Sequence, residues 1–229
     1  MGQEATAGLQ LETLYRLDPA GDIVGTREPI ATQGPALALI RDRTSVVWAW
    51  RHDVAATLRA RAALLLRDEG PLQGPEARPH HAAAYRDLLH GAVYSGPAFV
   101  FPQAASRPDD AVVVDDEALL MPWMPGWAPG ELAARGPVWA VMEEGRPVSI
   151  AFAARPGSLA VEAGVETDPA CRGRGYAVRA TAAWAASVEA SGRLPLYSTD
   201  WSNVASRRVA EKLGLILYAV DWNISGAAL

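Results

Sequence analysis

Cysteine is almost absent from this 229-residue chain. Cys171 stands alone, which excludes an internal disulfide and a cysteine-based metal cluster. Lysine is as scarce, Lys212 being the only one. The four histidines, His52, His80, His81 and His90, have no carboxylate arranged around them as in a zinc motif, so the sequence predicts no metal site. No apolar run approaches the roughly 18 residues that span a bilayer; Ala62 to Leu66 is stopped by Arg67. The opening MGQEATAGLQLETLYRLD lacks a basic region followed by an apolar stretch, and the expectation is a cytoplasmic protein without membrane association. Gly2 with Thr6 meets only a very permissive lipidation pattern and carries no weight. No repeat of fixed period is visible.

What is present suits a globular enzyme or binding module. Half of the residues are hydrophobic and 21% are charged, which excludes a disordered chain. The formal net charge of −5 argues against a general nucleic-acid binder. Between Arg172 and Lys212 the balance reverses: seven basic residues face three acids, so this segment carries +4 and the remainder −9. A local basic zone on an acidic chain suits a small polyanion better than a long one.

In the first half the sequence predicts a partly ordered arm over the first 20 residues and a strand at Thr44 to Trp50. A helix follows His52-Asp53, with Leu58, Ala62, Leu65 and Leu66 at helical spacing up to Gly70-Pro71. A Pro/Gly-rich connection then leads to a second helix, His81 to Leu89. Ser95 to Pro102 and Ala111 to Asp115 read as strands separated by the polar loop Gln103 to Asp110. Met121 to Gly130 (MPWMPGWAPG) is too proline-dense for regular structure and reads as a loop packed over something.

From Pro137 the pattern sharpens. Val138 to Glu143, Pro147 to Ala154 and Leu159 to Thr167 are strands joined by short turns, an antiparallel meander. A helix over Gly175 to Ser191, a strand at Leu194 to Ser198, a helix over Asn203 to Leu213 and a strand at Leu215 to Asn223 complete a β-β-β-α-β-α-β order. Between the third strand and the helix lies Arg172-Gly173-Arg174-Gly175-Tyr176-Ala177. Its glycines let the backbone turn sharply beside a ligand, the helix end offers unpaired N–H groups, and the arginines add charge: a pyrophosphate cradle. A dinucleotide fingerprint fails, because Val178 stands where a third small residue is needed.

The run VEAGVETDPACRGRGYA, followed by PLYSTDWSNVASRRVAEKLGL, resembles the GCN5-related N-acetyltransferase (GNAT) superfamily. The Gln/Arg-x-x-Gly-x-Gly/Ala signature is met by Arg172, Gly175 and Ala177, and the preceding Val-x-x-x-Pro by Val165 and Pro169. Asn-x-x-Ser is met by Asn203 and Ser206, and Lys-x-Gly by Lys212 and Gly214. The likeness covers about residues 137 to 223, and the extended N-terminal half resembles the FR47-like branch. The resemblance implies an α/β GNAT fold: a mixed, mostly antiparallel sheet with splayed fourth and fifth strands and helices on both faces. It divides the chain into an N-terminal α/β region, 1–105, which is either a degenerate GNAT half or an acceptor-side region, and a GNAT core, 106–229. Acetyl-CoA is the implied co-substrate, with no metal. Its pantetheine lies along Val165, Glu166 and Thr167. Its pyrophosphate rests on Arg172, Gly173, Arg174, Gly175, Tyr176 and Ala177, and Asn203 and Ser206 meet the cofactor arm. A helix N-cap explains Asn203 equally well.

For direct acetyl transfer to a primary amine, a carboxylate on the strand before the loop is the usual base. Glu162 and Glu166 share a face of a regular strand, and Glu162, the deeper of the two, is the first candidate. Ala210 occupies the position where many relatives carry an acidic tyrosine, which leaves Tyr218 or Tyr197 as substitutes, each also readable as a packed aromatic. Trp123, Trp127 and Trp139 either wall an amine pocket or pack the core. The acidic remainder favours a cationic small-molecule or amino-acid-like acceptor. The missing tyrosine keeps a non-catalytic acyl-CoA sensor open as the alternative, and a homodimer is allowed for.

Overall fold

The computed structural model describes residues 4–102 and 108–226. Gly2 and most of the loop expected at Gln103 to Asp110 lie outside them. The chain forms two compact units, Met1–Phe99 with Ser198–Asn203 and Leu217–Leu229, and Val100–Tyr197 with Val204–Ile216. No helix among the described residues is long and apolar enough to cross a membrane.

The first unit is built on β3 (Leu37–Asp42), whose six residues are all buried. Antiparallel neighbours flank it, β4 (Val46–Trp50) on one side and β11 (Ile216–Ser225) on the other. The next strand after β11 in this unit is β5 (Ala92–Val100). Leu37 and Leu39 point into a core with Ala62 and Leu66 of α2 (Ala56–Arg67) and with Tyr85, Leu88 and Leu89 of α3 (Ala82–Leu89). Ala38 and Ile40 point the opposite way, toward Ala7, Leu11 and Leu14 of α1 (Ala7–Leu14) and toward the small β1–β2 ribbon (Tyr15–Leu17, Ile23–Thr26). Within the arm expected over the first 20 residues, Ala7–Leu14 is therefore a helix and Tyr15–Leu17 a strand, both packed by this apolar contact.

Asp42 ties these parts together. One oxygen accepts from the Ala7 N–H and the Ser45 hydroxyl, the other from the Thr44 and Ser45 backbone N–H groups and the Thr44 hydroxyl. Burial pushes the carboxyl upward, but these donors together outweigh it and hold Asp42 below the usual carboxylate value of 3.8. Its contribution to stability is full above the unfolded value and disappears as pH falls through the lower folded one. Asp42→Ala leaves several donors unpaired and is expected to cost about 2–4 kcal/mol. Urea unfolding at pH 7 and pH 3 should show the wild-type advantage over the variant shrinking in acid.

The second unit is a meander with one parallel addition. β6 (Ala111–Val114), β7 (Val138–Glu143), β8 (Arg146–Pro156) and β9 (Ala160–Thr167) pair antiparallel in order. β10 (Leu194–Ser198) joins β9 in parallel. One face is covered by α5 (Tyr176–Ala190), where Trp139 donates to the Ser187 hydroxyl at 3.0 Å. The opposite face carries Ala140 and Ile150 against Leu120, Met124, Trp127 and Leu132, the last in the short helix α4 (Glu131–Arg135). The proline-dense segment is thus a packed cover. Glu117 fixes its path by accepting from Trp127 Nε1, Gly130 N and Leu132 N. The mixed, mostly antiparallel α/β organisation with helices on both faces agrees with the sequence expectation.

Candidate functional site

β9 and β10 are the fourth and fifth strands of this unit, and they part early. Their register holds only at Leu194↔Ala160, Pro195↔Val161 and Leu196↔Glu162. Ala160 to Ala163 are buried, whereas Gly164 to Thr167 are half-exposed. On its other side β9 stays paired with β8 as far as Ser149↔Thr167. A stretch of strand therefore keeps its extended shape while one edge is freed for a ligand to add to.

The freed strand runs into the glycine loop. Asp168 caps a 3-10 turn, Pro169–Cys171, by accepting from Ala170 N at 2.9 Å, and Arg146 binds the same carboxylate at 2.5 Å. The Arg146 hydrogen bond is the main cause that holds Asp168 below the usual carboxylate range. Gly173 and Gly175 take φ of 81° and 83°, in the left-handed region that a side chain resists, and the space where a Cβ would stand is open at both. Gly175 is the N-cap of α5, and no side chain caps the helix start there. The first-turn N–H groups of a 15-residue helix, with no acid in that turn, thus face the loop. Arg172 and Arg174 are exposed beside them, and Arg174 lies 3.6 Å from Glu143. Tyr176 is buried under the Arg179 guanidinium, and Cys171 is buried, within 3.6 Å of Arg146. A phosphate-bearing ligand fits these residues: an uncapped helix start, two exposed guanidinium groups, one of them paired with Glu143, and no carboxylate in the helix's first turn.

The two candidate bases have different surroundings. Glu162 is 2% exposed and ion-paired with Arg155 at 2.6 Å, at the level where β10 still pairs. Arg155 reaches that position because β8 shifts register between Ala153 and Arg155; an unbroken alternation would set Ala154 opposite Glu162. Glu166 is half-buried beyond the point of parting, and its carboxylate approaches Gly126 in the proline-dense cover. Both face the side of the sheet that this cover occupies, opposite α5.

The tyrosines are both engaged. Tyr197 on β10 shares a 2.7 Å hydrogen bond with the Ser206 hydroxyl at the start of α6 (Val204–Lys212), and burial pushes its phenol upward against that bond. Tyr218, in the first unit, donates its hydroxyl to Gln10 of α1, an arrangement suited to anchoring that helix rather than to releasing a proton. Asn203, also in the first unit, donates its backbone N–H to Asp200 O. Ala210 is buried.

The tryptophans do not form one wall. Trp127 belongs to the core under the cover, edge-on to Phe152 at 5.3 Å, and Trp139 lies on the α5 face. Only Trp123 is open, 45% exposed with the Arg146 guanidinium 5.0 Å from its ring. The Arg155–Glu162 pair and the approach of Glu166 to Gly126 leave no trace in the sequence, because the first depends on a bulge and the second on a loop fold.

Residues 131–219 match the family model described as GNAT acetyltransferase. Among solved structures, a GNAT-family acetyltransferase from Colwellia psychrerythraea is 13% identical over 78% of this chain and 76% of its own, with a TM-score of 0.50. A conserved protein of unknown function from Staphylococcus epidermidis is 11% identical over 78% and 83%, with a TM-score of 0.51. A GNAT-family protein from Novosphingobium aromaticivorans is 25% identical over 59% of this chain and 66% of its own, with a TM-score of 0.48. No curated protein matches. The fold agrees with that of a GNAT-family acetyltransferase, and over residues 131–219 the chain is similar to the GNAT acetyltransferase family.

Proposed function

We propose that the protein transfers an acetyl group from acetyl-CoA to the primary amine of a small-molecule or amino-acid-like acceptor by direct attack. The observation that carries this reading is the parting of β9 from β10 after Glu162↔Leu196, in line with a glycine loop at the uncapped start of α5. The backbone of Val165, Glu166 and Thr167 pairs with the amides of the pantetheine arm. The loop Arg172–Ala177 holds the pyrophosphate, and Ser206 offers a hydroxyl to the arm. Bound there, acetyl-CoA supplies the activated thioester carbonyl. Glu166 accepts the proton of the acceptor amine, directly or through one water, because it lies on the freed part of the strand and faces the cover. Glu162 holds Arg155 and fixes the strand where the two still pair. A free N–H on the open edge steadies the developing oxyanion. The extended N-terminal half is the basis for placing the chain near the FR47-like branch, and the acidic remainder favours a cationic acceptor.

Calorimetric titration with acetyl-CoA tests the cradle. Wild type is expected to bind at micromolar concentrations, and Arg172→Ala combined with Arg174→Ala to weaken binding at least about 10-fold, since each guanidinium makes a charge-assisted contact. No binding at millimolar acetyl-CoA overturns the reading. Binding without turnover of any amine favours the acyl-CoA sensor, to which Ala210 in place of a tyrosine would be suited.

A further inference from the structure

The connection between α2 and α3 brings together three groups that no sequence spacing pairs. His81 Nε2 lies 2.8 Å from Asp68 Oδ2, and His80 Nδ1 lies 3.5 Å from the same oxygen. The two imidazoles stack with centroids 4.4 Å apart, and one ligand atom from each of the three residues falls within 4.8 Å of the others. The sequence expectation that no carboxylate is grouped with the histidines is therefore corrected, because the chain turns back after α2 and closes on its C-cap.

We propose that Asp68, His80 and His81 form a site for a zinc-like divalent transition metal that clips α2 to α3. Bonds of about 2.1 Å set tetrahedral ligand atoms about 3.4 Å apart; the two imidazole nitrogens lie 2.8 and 3.5 Å from Asp68 Oδ2, and all three atoms within 4.8 Å, so small side-chain rotations reach that geometry. Two imidazoles and one carboxylate suit Zn²⁺ and its neighbours, whereas Mg²⁺ and Ca²⁺ prefer all-oxygen shells. Three protein ligands leave one position for water, and the side chains of Asp68 and His80 are 64% and 71% exposed, so the ion has a path in.

The backbone that carries the histidines is held in advance. Glu69, itself buried, accepts the N–H of His80 and of His81, each at 2.8 Å. Buried Arg41 interacts electrostatically with Glu69 and donates to the Ala77 carbonyl within the same connection. His81 rests edge-on against buried Tyr85 at 6.4 Å. Asp68 is the C-cap of α2 and His81 the N-cap of α3, so a metal bound between them closes the whole connection and stabilises the helix pair.

The test is equilibrium dialysis of the full, tag-free chain against Zn²⁺, with thermal unfolding followed in parallel. One Zn²⁺ per chain is expected, unaffected by excess Mg²⁺. His80→Ala and His81→Ala should each weaken binding at least about 10-fold, a loss that removal of even an outer partner of a metal ligand can cause. His90→Asn, which keeps a residue tolerant of the left-handed backbone there, should bind as wild type. Zn²⁺ should raise the unfolding midpoint of wild type and not of His80→Ala, whose side chain is 71% exposed. Absence of stoichiometric binding, or affinity unchanged in the His80→Ala, His81→Ala double variant, overturns the proposal.

Discussion

Glu166→Gln is expected to lower kcat at least about 100-fold while leaving acetyl-CoA affinity nearly unchanged, the loss appropriate to removing a positioned base. Glutamine keeps the size of the side chain and its contact with Gly126 but cannot take a proton, so the strand edge should survive intact. The matched variant Glu162→Gln should behave differently. It removes the charge partner of Arg155 from a 2.6 Å pair in which the carboxylate is buried and the guanidinium partly solvated. A destabilisation of about 2–3 kcal/mol is expected, somewhat below the usual cost of breaking a fully buried pair. Its kcat, measured at a temperature where the variant is folded, should fall much less than that of Glu166→Gln. Steady-state kinetics with any accepted amine, run beside calorimetry and denaturation, separates the two roles. Equal loss of kcat in both variants, or none in Glu166→Gln, would sink the assignment of the base.

The C-terminal elements are legible in the sequence because each is bounded by chemistry that acts locally. Val138 to Glu143 is β7 with the same limits, since its strand ends at the positive-φ pair Glu144-Gly145. The loop before α5 is legible for the same reason: Gly173 and Gly175 are where the backbone enters the left-handed region. β3 is not legible. Both of its faces are buried, so Leu37 to Ile40 show no alternation, and a short apolar run does not declare its own structure. α1 and α4 are eight and five residues long, too short for periodicity to stand out, and packing rather than propensity maintains them.

At the site, the split follows the range of the interaction. Residues of the proposed cradle are neighbours in sequence, so their types and spacing point to it. The choice between Glu162 and Glu166 rests on the bulge in β8 and on where β10 departs, and both are set by long-range pairing. The histidines are likewise brought together by long-range closure. Asp68 meets His80 and His81 only after the connection has closed on buried Glu69 and Arg41.

Gly164 joins the fold of the second unit to its open edge, and its substitution should have one of the largest effects on stability. A Cβ at this position would lie 2.3 Å from the Phe152 ring, which sits across from it in the β8–β9 register. The ring has little room to withdraw: Trp127 meets it edge-on at 5.3 Å and the Arg135 guanidinium lies 5.1 Å from its centroid. Arg135 is in turn tied to buried Glu131 at 3.1 Å. Gly164→Ala is therefore expected to cost about 2–3 kcal/mol through overpacking, even though alanine is the better strand residue. Since Val165 to Thr167 follow directly, the strain should pass to the open edge, and acetyl-CoA affinity should fall together with stability. Phe152→Leu alone removes ring contacts and is also destabilising, but combined with Gly164→Ala it makes room for the methyl group. A double-mutant cycle in urea should give a favourable coupling of about 1 kcal/mol or more, as for residues in direct contact. Additive costs would show that the collision is relieved elsewhere, and that Phe152 does not fix the line of β9.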